Sequence, residues 1–220
     1  MGLNSTIIRF LQGRQARARE RRRGAIGDFY RAGGNPLLHD LPVGSDDVVI
    51  DAGGFEGDWA AAMLVRTGCR IELYEPVPAF AARCRALLGR NGRVRVVEAA
   101  LGGSERTARF AVDSVASSEF THRGGTVEAR VEDAHAVVGR LAAAHGEVAC
   151  LKLNIEGGEY EVLERILERG DAARCRSILV QFHAQPEGWE RRMSSITERL
   201  SATHEAAWRF PMVWEKWVRR

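Results

Sequence analysis

From Val48 onward, short apolar runs alternate with longer segments whose apolar positions recur every three or four residues. Runs at 47–52, 69–75, 93–98, 148–154 and 176–183 have the length and continuity of buried strands. Segments 58–67, 78–90, 133–145, 157–169 and 187–202 carry the helical period instead. Turn formers punctuate the alternation, as at Gly89, Asn91 and Gly92 ahead of the third run. The order βαβαβ, then βαβ, predicts a mostly parallel sheet with helices on both faces. Between the halves, 106–112 and 125–132 flank a polar stretch from Asp113 to Gly124, which predicts an inserted β-hairpin. Terminal strands near 204–210 and 212–218, with Pro211 at the turn between them, bring the predicted sheet to seven strands.

The first half of this pattern carries candidate chemistry. Asp51 ends the first strand, Gly53, Gly54 and Gly57 fill the following turn, and Glu75 and Pro76 close the second strand. Strand, glycine turn, helix, strand and acid make the first half of a nucleotide-binding α/β sheet. Glycines let the backbone approach a ligand closely. An acid at the tip of the second strand can accept hydrogen bonds from both hydroxyls of a ribose. The dinucleotide fingerprint G-x-G-x-x-G is not met, because Phe55 and Asp58 stand where its later glycines belong. Glu56 and Asp58 are also poor neighbours for a pyrophosphate, which wants bare amides at a helix N-terminus. The remaining pattern, D-x-G-x-x-x-G, resembles motif I of S-adenosylmethionine (SAM)-dependent methyltransferases. SAM has a ribose and an adenine but no phosphate, and its ammonium suits Asp51 and Glu75 at strand C-terminal ends.

A second informative run is Leu151-Lys152-Leu153-Asn154-Ile155-Glu156-Gly157-Gly158-Glu159-Tyr160. Its strand delivers Asn154 and Glu156 beside the crevice expected at a topological switch point. Two glycines then lead into a helix whose first turn holds Glu159 and Glu161, favourable at its positive end. With this run the chain resembles the FkbM family of SAM-dependent methyltransferases. That family's D-x-G-A-N-x-G is represented by Asp51-Ala52-Gly53-Gly54-Phe55-Glu56-Gly57, and its E-P-x-P by Glu75-Pro76-Val77-Pro78. Its K-I-D-x-E-G-x-E is matched by Lys152 to Glu159, and its paired serine before V-x-V-x-x-x-D by Ser117-Ser118 and Val127 to Asp133. Val213 to Trp217 resembles the aromatic tail of some members, so the resemblance covers about residues 45–218. It implies a Rossmann-like class I methyltransferase fold, SAM as methyl donor, and a small-molecule or glycan hydroxyl as acceptor. Asp51, Gly53, Gly54, Gly57, Glu75, Pro76 and Asn154 would then bind the donor, with adenine at the end of the third strand near Glu98 and Ala99. Two departures stand out: Phe55 replaces the usual Asn, removing a side-chain hydrogen bond, and Asn154 replaces the usual Asp, removing a charge.

Methylating a hydroxyl requires something to take its proton. His183 ends the fifth predicted run on the same sheet edge as Asn154 and Glu156, and its ordinary pKa near 6.5 suits a base. The alternative is a histidine hydrogen-bonded to a neighbouring loop. Glu156 is the rival base, or else the residue that holds the Gly157–Gly158 turn through backbone amides. Asn154 can orient the ammonium of SAM through its carbonyl. Lys152, inside a strand, must pair when buried, which favours a structural bridge. Asn154, Glu156 and His183 could supply metal ligands, but neutral Asn is a poor carboxylate substitute, so no metal is expected. Trp189, Trp208, Trp214 and Trp217 either stack on an acceptor or cover the terminal strands.

Bulk properties sharpen the limits. A chain of 220 residues is one domain's worth, able to bury about 70% of its unfolded surface. Four cysteines lack zinc or C-x-x-C spacing and read as small core residues. No secretory signal or membrane-length apolar run is present, which places the chain in the cytoplasm. The net charge of +3 is modest, but seven arginines between Arg9 and Arg23 face one acid, Glu20. Residues 1–44 are therefore read as a basic helical arm preceding a methyltransferase domain over 45–220. Such an arm suits an anionic membrane or an acidic partner, or it is a solvated helix packing its apolar ends on the domain. Met1-Gly2 with Thr6 also fits an N-myristoylation pattern. Nucleic acid is disfavoured as acceptor, since the fourth strand ends N-I-E-G rather than in a Pro-Pro-aromatic clamp. An RNA ribose methylase and a degenerate SAM-binding module remain the alternatives.

Overall fold

The computed structural model describes residues 22–113, 116–118, 125–185 and 187–220. Residues 1–21 of the arm, its myristoylation pattern and most of the polar stretch from Asp113 to Gly124 lie outside the described residues.

A seven-stranded sheet forms the centre, with β1 (Val48–Ala52), β2 (Arg70–Tyr74), β3 (Val94–Val97), β8 (Cys150–Leu153), β9 (Ser177–Val180), β10 (His204–Phe210) and β11 (Trp214–Arg219). Its order is β10-β11-β9-β8-β1-β2-β3. The five strands from β9 to β3 are parallel, while β11 and β10 are antiparallel to their neighbours. All five positions of β1 are buried, which is why the run is continuous in apolar residues apart from Asp51. Val48, Ile50 and Ala52 join the core layer made with α4 (Ala134–His145), α5 (Glu159–Glu168) and α6 (Trp189–Leu200). Val49 joins the opposite layer, made with the helix over 22–31 (α1), α2 (Asp58–Thr67) and α3 (Pro78–Leu88). Alternation along one strand thus assigns three helices to each face.

The described part of the N-terminal region is built into this core. Ala25 and Phe29 of α1, and Leu38 of the short 3-10 turn Asn35–His39, are buried against the sheet. The Phe29 ring meets Phe210 edge-on at 5.5 Å. This is apolar anchoring of a helix on the domain.

Three predicted elements change shape. The expected hairpin is β5 (Arg106–Asp113) paired antiparallel with β7 (Gly125–Asp133), but it belongs to a separate four-stranded sheet. There β4 (Ala100–Gly102) runs parallel to β7, and β6 (Ala116–Ser118) antiparallel to β5. The helix expected from 157 starts at Glu159, because Glu156 (φ 50) and Gly157 (φ 105) turn through the left-handed region first. The run expected to reach His183 pairs only from Ser177 to Val180, leaving His183 in the loop beyond β9.

Strand order reverses between β1 and β8: from β1 the chain builds outward to β2 and β3, from β8 outward to β9. The crevice outside the C-terminal ends of these two strands is where open α/β sheets bind ligands.

Candidate active site

Register brings Asp51 of β1 directly opposite Lys152 of β8. Lys152 Nζ donates to Asp51 Oδ1 at 2.6 Å and to the Gly53 carbonyl at 2.9 Å, and lies 5.8 Å from the Trp59 ring centre. Both residues are buried, so Lys152 is the structural bridge that its strand position demanded. The second carboxylate oxygen, Asp51 Oδ2, is buried without a hydrogen-bond partner among the described residues. So is Asn154 Oδ1, one residue beyond β8. Burial pushes the Asp51 pKa up, against the pull of Lys152. Two buried acceptors at the tips of adjacent strands call for a donor.

Glu75 follows β2 and is 2% exposed. Its Oε1 accepts the Val77 amide and its Oε2 the Phe55 amide, each at 2.9 Å. Burial raises its pKa to about 7, with those two amides opposing. Pro76 and Ala99 are buried, whereas the exposed Glu98 carboxylate pairs with Arg85 at 2.7 Å. Of the two residues expected near adenine, Ala99 faces inward and the Glu98 carboxylate is engaged with α3.

Gly53 adopts φ 82, and a Cβ there would stand 2.0 Å from the Asn154 carbonyl oxygen. Its glycine is required by the contact between the two strand-end loops, not only by a ligand. Phe55 also sits in the left-handed region, at φ 50. Asn adopts that region more readily than Phe, so backbone conformation gives a reason for the family's Asn that the sequence does not display. Phe55 is held by its amide bond to Glu75, by a Cys84 thiol donating to its carbonyl at 3.1 Å, and by its ring against Phe80 at 4.6 Å.

Beyond Asn154, the turn brings together three residues. Glu159, fully buried, accepts the Gly157 amide on Oε2 at 2.8 Å and the His183 amide on Oε1 at 2.7 Å. Glu159 therefore holds the glycine turn, the role sequence reasoning offered to Glu156. His183 Nδ1 lies 3.2 Å from Glu159 Oε1, and His183 Nε2 lies 3.3 Å from Glu156 Oε1. The His183 carbonyl accepts the Tyr160 hydroxyl at 2.6 Å. Burial alone would lower the His183 pKa, but the two carboxylates outweigh it and raise it to about 9. Two flanking carboxylates favour the imidazolium form of the ring, which makes Glu156 a better-placed proton acceptor than His183. For Glu156, burial raises and the charges of His183 and Arg22 lower, leaving its pKa below the usual range. Sequence position alone marks Glu159 as a helix-end acid that closes the K-I-D-x-E-G-x-E signature. No group of three or more His, Cys, Asp or Glu among the described residues is arranged to hold a metal.

Unpartnered Asp51 Oδ2 and Asn154 Oδ1 offer lone pairs to an ammonium, and Glu75 adds a buried carboxylate at the tip of β2, so the residues present fit SAM. A mostly parallel sheet with this switch point, glycine turn and acids is the arrangement of a SAM-dependent methyltransferase. The family described as Methyltransferase FkbM domain matches residues 48–209, and the chain belongs to it. No curated protein matches the chain. Among solved structures, an rRNA methylase from Streptococcus thermophilus is 11% identical, with a TM-score of 0.45 over 84% of this chain and 92% of that one. A precorrin 8w decarboxylase from Methanobacterium thermoautotrophicum is 15% identical, with a TM-score of 0.45 over 84% of this chain and 86% of that one. These likenesses carry no argument about substrate or mechanism.

Proposed function

We propose that this protein transfers a methyl group from SAM to a hydroxyl of a small molecule or glycan. The observation that carries the donor assignment is the pair of buried, unpartnered acceptors, Asp51 Oδ2 and Asn154 Oδ1, at adjacent strand tips. When bound, SAM supplies an electrophilic methyl on a positively charged sulfur. Asp51, fixed by Lys152, and Asn154 receive its ammonium, and Glu75 receives the ribose. Gly53 and Gly57 shape the turn beneath it. Asn in place of Asp at position 154 keeps an acceptor oxygen at the strand tip without adding a charge.

The acceptor end favours oxygen chemistry. A hydroxyl sheds its proton as the new C–O bond forms, and Glu156 with His183 is a proton-handling pair at that edge of the sheet. An RNA ribose hydroxyl needs the same chemistry, and the run of seven arginines from Arg9 to Arg23 is the observation favouring that second reading. No helix among the described residues is long and apolar enough to cross a membrane. We assign the reaction to the cytoplasm, with the Arg-rich arm contacting an anionic membrane or an acidic partner.

The test is transfer of labelled methyl from SAM to panels of sugars, natural-product alcohols and phenols, and short RNAs. Label in a hydroxyl acceptor, made alkali-stable as an ether, supports the proposal. Label only in RNA ribose selects the second reading. SAM binding without transfer to any panel makes the protein a binding module and overturns the proposal.

A further inference from the structure

We propose that Glu159, His183 and Glu156 form an ordered relay in which Glu156 accepts the acceptor's proton, His183 holds Glu156, and Glu159 is the positioning residue for His183. The inference rests on the methyltransferase reading and assigns the proton's destination within it.

Geometry supplies the order. Glu159 is fully buried and grips His183 twice, at the backbone amide (2.7 Å) and at Nδ1 (3.2 Å). Tyr160 fixes the His183 carbonyl from the next position of α5. With amide, carbonyl and one ring nitrogen fixed, Nε2 is left directed at Glu156 Oε1. Of the two carboxylates only Glu156 has exposed side-chain surface, 30% against 0%, so only it can reach an acceptor. Glu156 also carries a left-handed backbone at φ 50, a strained conformation that places it on the turn two residues past Asn154. The Gln185 side-chain amide secures this turn, Nε2 donating to the Glu156 carbonyl at 2.6 Å.

Charge explains why the order works. The groups acting on the imidazole are Glu156 from the β8–α5 turn and Glu159 from α5, with Arg22 of α1 acting on Glu156. An imidazolium between two carboxylates keeps Glu156 ionised and oriented. A weak base suffices there, because an alcohol oxygen becomes strongly acidic as its bond to carbon forms. The acceptor exchanges its O–H bond for an O–C bond, the C–S bond breaks with its electrons left on sulfur, and the proton passes to Glu156. Loss of that proton to solvent resets the site.

The test uses sinefungin, which carries an amine where SAM has its transferable methyl, beside S-adenosylhomocysteine, which carries nothing there. Calorimetry at neutral pH is expected to show sinefungin preferred by wild type. Glu156→Gln should lower that preference about tenfold, the loss of one charge-assisted hydrogen bond, with S-adenosylhomocysteine affinity unchanged within about twofold. In parallel, the His183 ring is followed by NMR in the full chain. It should titrate near 9 in wild type, and at least about one unit lower in Glu159→Gln. Glu159→Asp, which keeps the charge, should restore the higher value. If Glu159→Gln does not fold, Glu156→Gln provides the same reading, since it removes the other carboxylate. Equal binding of the two ligands by wild type, an unaltered preference in Glu156→Gln, or a ring titrating near its ordinary 6.5 in wild type overturns the relay while leaving the methyltransferase assignment intact. Failure of both ligands to bind removes that assignment and the relay together.

Discussion

Lys152→Met isolates the buried ion pair beneath the donor site. In the folded protein Asp51 is 0% exposed and Lys152 4%. Removing the ammonium leaves Asp51 Oδ1 and the Gly53 carbonyl without their shared donor, bonded at 2.6 and 2.9 Å. Each buried acceptor so stranded costs about 1–3 kcal/mol, more for the charged one, and removing one partner of a buried pair costs about 3–5 kcal/mol in all. Asp51 already has a folded-state pKa above its unfolded value. The native state therefore binds protons more tightly there, and stability falls as pH rises through the interval between the two values. Without Lys152 that interval widens, by about 1.4 kcal/mol per added pKa unit. Urea denaturation should thus show a loss of about 3–5 kcal/mol at pH 8 that shrinks as the pH is lowered and Asp51 takes a proton. Asp51→Asn combined with Lys152→Met should recover much of the loss, since no charge is then stranded. A loss below about 1 kcal/mol at pH 8, or one independent of pH, would refute the reasoning.

Three further outcomes are expected. SAM affinity should fall as pH drops through about 7, where Glu75 takes up a proton, and Glu75→Gln should flatten that dependence in calorimetry. Gly53→Ala places a Cβ 2.0 Å from the Asn154 oxygen at φ 82, so thermal denaturation should show a loss of at least about 2 kcal/mol with SAM binding impaired. Phe55→Asn relieves a left-handed Phe worth about 1 kcal/mol and gives up an aromatic pair worth about 0.5–1.5 kcal/mol. Loss of the half-buried ring's apolar contact adds to the second term, so urea denaturation should show a net loss of about 1–2 kcal/mol, and a gain in stability would contradict that balance.

Period and turn signals made the central sheet legible, because buried strands and amphipathic helices leave patterns over many residues. The transfer of Ala100–Gly102 into a second sheet was not legible: three residues carry no period, and their partner lies some thirty positions on in β7. Asp51 and Lys152 were each readable as strand residues, and the register that pairs them follows from the parallel order once β1 and β8 are neighbours. Glu159 illustrates the opposite case. Its position at a helix start offers a sufficient local explanation, and only the fold brings it to the backbone and ring of His183, 24 residues away. The charge of His183 follows from two carboxylates that no spacing rule places on either side of it. Phe55 was noticed as a departure, but its cause is a backbone angle that the sequence does not display.

The central claim is that Asp51, Asn154 and Glu75 hold SAM at the β1–β8 switch point. Calorimetric titration of SAM and S-adenosylhomocysteine into wild type and Glu75→Ala tests it most directly. Micromolar binding to wild type, lost in a folded Glu75→Ala, is the predicted result. No binding of either ligand to folded wild type, or equal binding to both proteins, would contradict it.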